Sequence, residues 1–153
     1  KPIISYSTSD FQGRRQEEIE EILSIRKELP DLVWVSAGIC RSQPILERAI
    51  EQIESWRSQL AETSIYRSLF CVSPQQEIHF DFADAAKNIK LCAETFNLLD
   101  IAYLILKSAA FRTESRGGHY RTDYPKPDSD WQVHTVVKKV ENEFKWKKEE
   151  TRG

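Results

Sequence analysis

The residues best equipped for chemistry crowd into one stretch, FRTESRGGHYRTDYP, from Phe111 to Pro125. His119 would titrate near neutral pH and could act as a general base. Arg116 or Arg121 could clamp a carboxylate, because a guanidinium fork meets a carboxylate with two parallel hydrogen bonds. A structural reading competes. Gly117 and Gly118 would end a preceding helix, where glycine accepts left-handed angles, and the remaining polar groups would pair with one another and with a facing surface. A histidine without a placed partner weighs toward that second reading. A phosphate cradle on the two glycines is disfavoured by their order, since they follow a helix whereas phosphate loops precede one.

The other candidates are weaker. His134, in WQVHT, has no further metal ligand at useful spacing and reads as a hydrogen-bonded structural histidine. His79, near Asp81 and Asp84, reads as part of a turn and helix start, where aspartate meets the positive end of the helix dipole. Trp34 and Trp56 read as core or interface aromatics, not a platform for stacked bases. Cys40, Cys71 and Cys92 form no CxxC pair. Their odd number and wide spacing suggest reduced, mostly buried thiols of a cytoplasmic protein.

The elements that must position these residues follow from apolar periodicity. Ile19, Ile22, Leu23 and Leu29 recur at helical spacing and predict a helix from Arg14 to Leu29. Pro30 is expected to end it and to open a second, shorter helix. Ser42 is a plausible cap for a helix running to about Glu62, with Leu46, Ala49, Ile50, Ile53, Trp56 and Leu60 along one stripe. SPQQEIHFDF breaks the pattern, with an extended segment expected around residues 78–82. A long helix from about Ala83 to Arg112 is apolar on most sides and should be covered on most sides. PKPDSD is a spacer, and WQVHTVVKKV, ENE and FKWKK predict two short strands and a tight turn. Such a hairpin must lean on the helices. The expected fold is mainly α: a three-helix bundle, spectrin-repeat-like and up-down-up, with a small C-terminal β-hairpin. Residues 1–13 read as a linker, 14–125 as the bundle, and 126–153 as spacer, hairpin and frayed tail.

The totals bound the function. The 153 residues are 40% apolar and 30% charged, with 22 basic and 24 acidic side chains and a net charge of −2. That composition suits one globular domain and offers no single-sign field to attract nucleic acid or an anionic membrane. The charged residues of the long helix argue against a membrane span. The sequence holds no methionine, from which a piece of a longer protein is expected.

AAFRTESRGGHYRTDYP resembles the C-terminal domain of the succinate dehydrogenase/fumarate reductase flavoprotein family. The matching positions are Glu114, Ser115, Arg116, Gly117, His119, Arg121, Asp123, Tyr124 and Pro125. Within that family, VWVSAGICRSQPILERAI is most similar to the L-aspartate oxidase branch, through Trp34, Gly38, Ile39 and Arg41. The similarity covers roughly Arg14 to Pro125. The tail DWQVHTVVKKVENEFKWKK is more similar to the ending of succinate dehydrogenase flavoproteins, and Thr113 stands where the family often carries lysine.

The resemblance implies a parent that binds FAD in a Rossmann-like domain and closes a capping domain over its substrate. That parent would take hydride from the α-carbon of L-aspartate to give iminoaspartate, for quinolinate synthase to use on the way to NAD. Dioxygen or fumarate would reoxidise the flavin. The catalytic groups of that reaction lie in the FAD and capping domains, and no GxGxxG fingerprint occurs in this sequence. No catalytic, cofactor-binding or metal residue is therefore expected here, and the chain alone should be inactive. Glu114, Ser115, Arg116, Gly117, His119, Tyr120, Arg121, Asp123 and Tyr124 are expected to form a structural and interdomain docking element, with Arg116 in a buried ion pair. A second apolar face of the long helix would favour self-association. Two alternatives stand: the same domain of a succinate dehydrogenase or fumarate reductase subunit, touching an iron–sulfur partner, or a freestanding helical interaction module.

Overall fold

The computed structural model describes residues 8–71, 84–141 and 143–150, with side chains from residue 15 onward. Its elements are α1 (Thr8–Ala37), α2 (Gln43–Ala61), α3 (Ser64–Phe70), α4 (Ala85–Phe111), a 3-10 turn (Ser129–Trp131), β1 (Val133–Val140) and β2 (Glu143–Glu150). The chain is mainly α with a C-terminal antiparallel hairpin. The segment holding His79, Asp81 and the expected extended stretch lies outside the described residues.

Pro30 does not end the first helix; α1 runs through it to Ala37. An interior proline removes a hydrogen bond and crowds the preceding turn, at a cost of about 3 kcal/mol. Ile19, Ile22, Ile25 and Leu29 are all buried along the same helix, and each such side chain contributes about 1.5–3 kcal/mol. The stripe outweighs the break.

By their contacts the residues form two units, Lys1–Leu29 with Ser55–Asp100 and Pro30–Glu54 with Ile101–Gly153. In the first, Trp56, Leu60, Ile65, Cys92, Phe96 and Leu99 join the α1 stripe as core. α3 has no counterpart in the sequence reading. Its N-terminus is held by Thr63, whose hydroxyl accepts from the Tyr66 N–H, and by Glu18, whose carboxylate accepts from Ser64 N, Ser64 Oγ and Ile65 N. A carboxylate suits that end of the helix dipole. Arg26–Glu94 at 3.0 Å and Arg57–Asp100 at 2.8 Å add half-exposed ion pairs.

In the second unit the core is Leu46, Ala49, Ile50, Ile53, Ala102, Leu106, Ala109 and Trp131. The hairpin pairs Val140 with Glu143, and Glu141, just past the first strand, takes φ 57°. Phe144 and Trp146 lean on Tyr103 of α4 at ring distances of 6.2 and 6.0 Å, and Trp146 Nε1 donates to Ser108 Oγ at 2.9 Å. The hairpin does lean on a helix, as a lone two-stranded sheet must. Glu149 and Glu150 do not fray but pair with His134 and Val133.

Burial sorts the expectations further. Of the two aromatics expected as core or interface, Trp56 is core and Trp34 is 69% exposed. Of the cysteines only Cys92 is buried, and burial followed by the nearby Glu18 carboxylate pushes its thiol up to about 11. On α4, Leu98, Ile101 and Ile105 are exposed.

Candidate functional site

The loop after α4 is built around a fully buried arginine. Arg121 Nη1 donates to the carbonyls of Ala109, Ala110 and Arg112 at 3.0, 3.2 and 3.4 Å. These are carbonyls that the end of a helix leaves without an internal partner. Nε and Nη2 grip Asp123 Oδ1 and Oδ2 at 2.8 and 2.7 Å, and Nη2 also donates to Gln43 Oε1 at 2.9 Å. Asp123 Oδ2 accepts the Gln43 N–H at 2.8 Å, at the first residue of α2. The cation thus sits at the negative end of α4 and its carboxylate at the positive end of α2, so each charge complements its helix dipole. Ser42 starts α2 through its carbonyl, which accepts from Leu46 N. Asp123 supplies the side-chain cap from a distance of 80 residues in sequence.

Gly117 and Gly118 consequently do not end the helix, which stops at Phe111. They form the tip of a tight turn in which Arg116 and His119 exchange backbone hydrogen bonds of 2.8 and 3.0 Å. Gly117 has φ 57°, whereas Gly118 is outside the left-handed range, and a Cβ at either meets open space. Gly117→Ala is therefore expected to lose about 1 kcal/mol from the left-handed angle alone, and Gly118→Ala less than about 0.5 kcal/mol. Urea denaturation of the two variants side by side checks this.

Glu114 is the second buried hub. Its carboxylate accepts from Arg112, from Arg116 Nε and Nη2 at 2.9 and 3.0 Å, and from the Asp128 N–H at 2.8 Å. Burial alone would raise its pKa, but hydrogen bonds from Arg116, Asp128 and Arg112 outweigh it and hold the group at about 2. The expected buried pair is thus anchored on Glu114, while the Arg116 side chain stays 39% exposed. Arg112 also donates to the carbonyls of Trp131 and Val133 and lies over the Trp131 ring. Ser115 Oγ accepts from Arg121 N at 2.9 Å and donates to the Tyr124 carbonyl at 2.7 Å, which closes the loop.

His119 is half-buried with both ring nitrogens engaged. Nε2–H donates to the Arg112 carbonyl at 3.1 Å, and Nδ1 faces Arg41 Nη1 at 3.4 Å. Burial lowers its pKa, and the positive charges of Arg41, Arg121 and Arg112 lower it further, against the Arg112 carbonyl. A neutral imidazole donating at Nε2 and accepting at Nδ1 satisfies both contacts. Both ring nitrogens are thus committed to contacts within the protein.

These shifts give a pH dependence. Asp123 is lowered to about 2, chiefly by the Arg121 hydrogen bonds against a burial penalty, and Glu114 also lies at about 2. On acidification the unfolded chain takes up protons before the folded one. The contribution of these two carboxylates is therefore full above roughly pH 5 and lost progressively as pH falls toward the folded values. His119, lowered from 6.5, acts in the same sense at higher pH. Denaturation midpoints at pH 7, 5 and 3 should fall in that order, and the fall should be shallower in Asp123→Asn.

The structure brings Glu114, Ser115, Arg116, Gly117, His119, Arg121 and Asp123 into one network, with Tyr120 and Tyr124 exposed at its rim. His134 is set apart, exposed on β1 opposite Glu149. Residues the sequence did not mark as members are Gln43, Arg112 and Asp128; only the polar crowding of the loop hinted at them. Arg41 was visible only by resemblance. Its backbone bridges the loop through Tyr120 and Thr122, and its guanidinium reaches the carbonyls of Ala37 and Gly118. All four guanidiniums of the network address protein acceptors. Among the described residues no group of three or more metal-ligating side chains gathers, and no helix is long and apolar enough to cross a membrane.

Comparison with known proteins agrees with this anatomy. The model of the fumarate reductase flavoprotein C-terminal family matches residues 26–152. L-aspartate oxidase from a Nostoc species is 48% identical over 124 residues, 81% of this chain and 22% of that protein. L-aspartate oxidase from Synechocystis sp. is 47% identical over 112 residues, 73% of this chain and 20% of that protein. The fumarate reductase flavoprotein subunit of Mycobacterium tuberculosis is 32% identical over 121 residues, 77% of this chain and 18% of that protein. The chain spans about a fifth of the length of these curated relatives. No solved structure matches it. The matched region contains the whole network from Arg41 to Asp128, and the chain belongs to the fumarate reductase flavoprotein C-terminal family.

Proposed function

We propose that this chain is the C-terminal helical domain of an L-aspartate oxidase, which with FAD converts L-aspartate to iminoaspartate for NAD biosynthesis. The carrying observation is the gap in identity: 48% and 47% to L-aspartate oxidases against 32% to a fumarate reductase flavoprotein subunit. In this reading the domain is a support without catalysis of its own. The arginines of the network do not fit a flavin diphosphate, because their forks are engaged by Glu114, Asp123, Gln43 and backbone carbonyls. FAD would be held by the other domains of the parent, with Arg116, Tyr120 and Tyr124 on the rim toward them. The reading carries a cytoplasmic setting and delivery of product to quinolinate synthase. Exposed Ile101 and Ile105 favour self-association of the chain when it is alone.

The test is anaerobic mixing of the purified full-length flavoprotein with L-aspartate or with succinate. Bleaching of the flavin band by L-aspartate alone is the expected result. Bleaching by succinate alone would move the assignment to the succinate dehydrogenase branch.

A further inference from the structure

One apolar surface stands apart from the loop network. Trp34, Val35 and Ile39 are 69%, 69% and 75% exposed at the end of α1 and just beyond it. The run from Leu32 to Cys40 contains no charged residue, in a chain that is 30% charged. Such depletion of charge marks the centre of a water-excluding contact, not an ordinary solvated face. The ridge is also held firmly. Arg41 N donates to the Tyr120 carbonyl at 3.2 Å, Thr122 N donates to the Arg41 carbonyl at 2.8 Å, and Arg41 Nε returns to Ala37 O at 3.0 Å. A Cβ on Gly38 would run into the Trp34 carbonyl, so the chain is closely folded on itself there. Exposed apolar side chains on a pinned corner are pre-organised for a fixed neighbour, which keeps the ordering cost of association low.

We infer that this ridge seats the remainder of the parent polypeptide. The inference rests on the proposal that such a parent exists, and it names the surface through which the domain is held. Length decides the occupant. The relatives are about five times longer than the chain, and a covalently attached domain competes at an effective concentration of order mM. A second copy at ordinary concentration cannot match that.

Hydroxyl-radical footprinting of the full-length flavoprotein tests it, with each residue referred to its own rate in the unfolded protein. Trp34 and Ile39 should be protected roughly tenfold, as a passage from exposed to interface core requires, and comparably to buried Ile22. Trp34→Lys should keep its helix content while Ile39 becomes reactive. Oxidation of Trp34 and Ile39 at rates matching their exposure in this chain would overturn the inference. So would protection that vanishes on dilution together with a dimer-to-monomer shift in sedimentation, which would give the ridge to a second copy. A protein that protects Trp34 but is not reduced by L-aspartate supports the ridge and removes only the oxidase reading; one reduced by L-aspartate with Trp34 fully reactive does the reverse.

Discussion

Arg121→Met is expected to destabilise the chain by about 3–5 kcal/mol, the cost of breaking a buried ion pair by removing one partner. The charge itself is only part of that loss. The Arg121 side chain is fully buried, and its removal leaves Asp123, Gln43 and the carbonyls of Ala109, Ala110 and Arg112 without their donor. Lysine should not rescue it, because one ammonium cannot grip both Asp123 oxygens while reaching three carbonyls in another direction. Adding Asp123→Leu to Arg121→Met should recover part of the loss by removing the stranded carboxylate. Full recovery is not expected, since the Gln43 N–H would then lose its acceptor at the start of α2. Urea denaturation followed by circular dichroism reads all four proteins. A loss below about 1 kcal/mol in Arg121→Met, the range of a surface pair, would show that the helix ends do not depend on this cation.

Glu114→Gln should cost about 3 kcal/mol, at the lower end of the range for breaking a buried pair. The amide keeps one accepting oxygen, which suits the position met by Arg112 and Arg116 Nε, but it puts an N–H group where Arg116 Nη2 and the Asp128 N–H donate, and it removes the charge. Arg116 can turn to solvent because its side chain is 39% exposed, whereas Arg112 is 17% exposed and tied to the carbonyls of Trp131 and Val133. Arg112 is therefore the cation left without its counter-charge. Arg116→Met should cost clearly less than Glu114→Gln, since Glu114 would keep Arg112 and the Asp128 N–H. The reverse order would place the anchor of the network on Arg116. The acid dependence should also separate the variants. Glu114→Gln removes one of the two carboxylates held at about 2, so its denaturation midpoint should fall less steeply below roughly pH 5 than that of the native chain.

Much of this molecule was legible in the order of its residues. Apolar spacing alone located α2, α4 and the hairpin within a few residues, because a helix or strand that buries one face must repeat its apolar positions at that element's own period. The loop from Glu114 to Tyr124 stood out by composition, and its resemblance named the family. Three-dimensional packing decided the rest. Pro30 looked like a boundary because local sterics disfavour it, but the buried stripe from Ile19 to Leu29 outweighed the local cost. The glycines looked like a helix stop because glycine often serves there, whereas the stop is made by an arginine ten residues beyond the end of the helix. Trp34 and Trp56 looked alike, as core or interface aromatics, and only their surroundings showed Trp56 buried and Trp34 bare. Other contacts that the sequence left unmarked also join residues distant in the chain: Gln43 meets Asp123, Arg41 meets Tyr120, and Glu18 meets Ser64. Periodicity reports which face of an element is buried; it carries no record of which other element arrives to cover that face, and hydrogen-bond partners are chosen by that arrival.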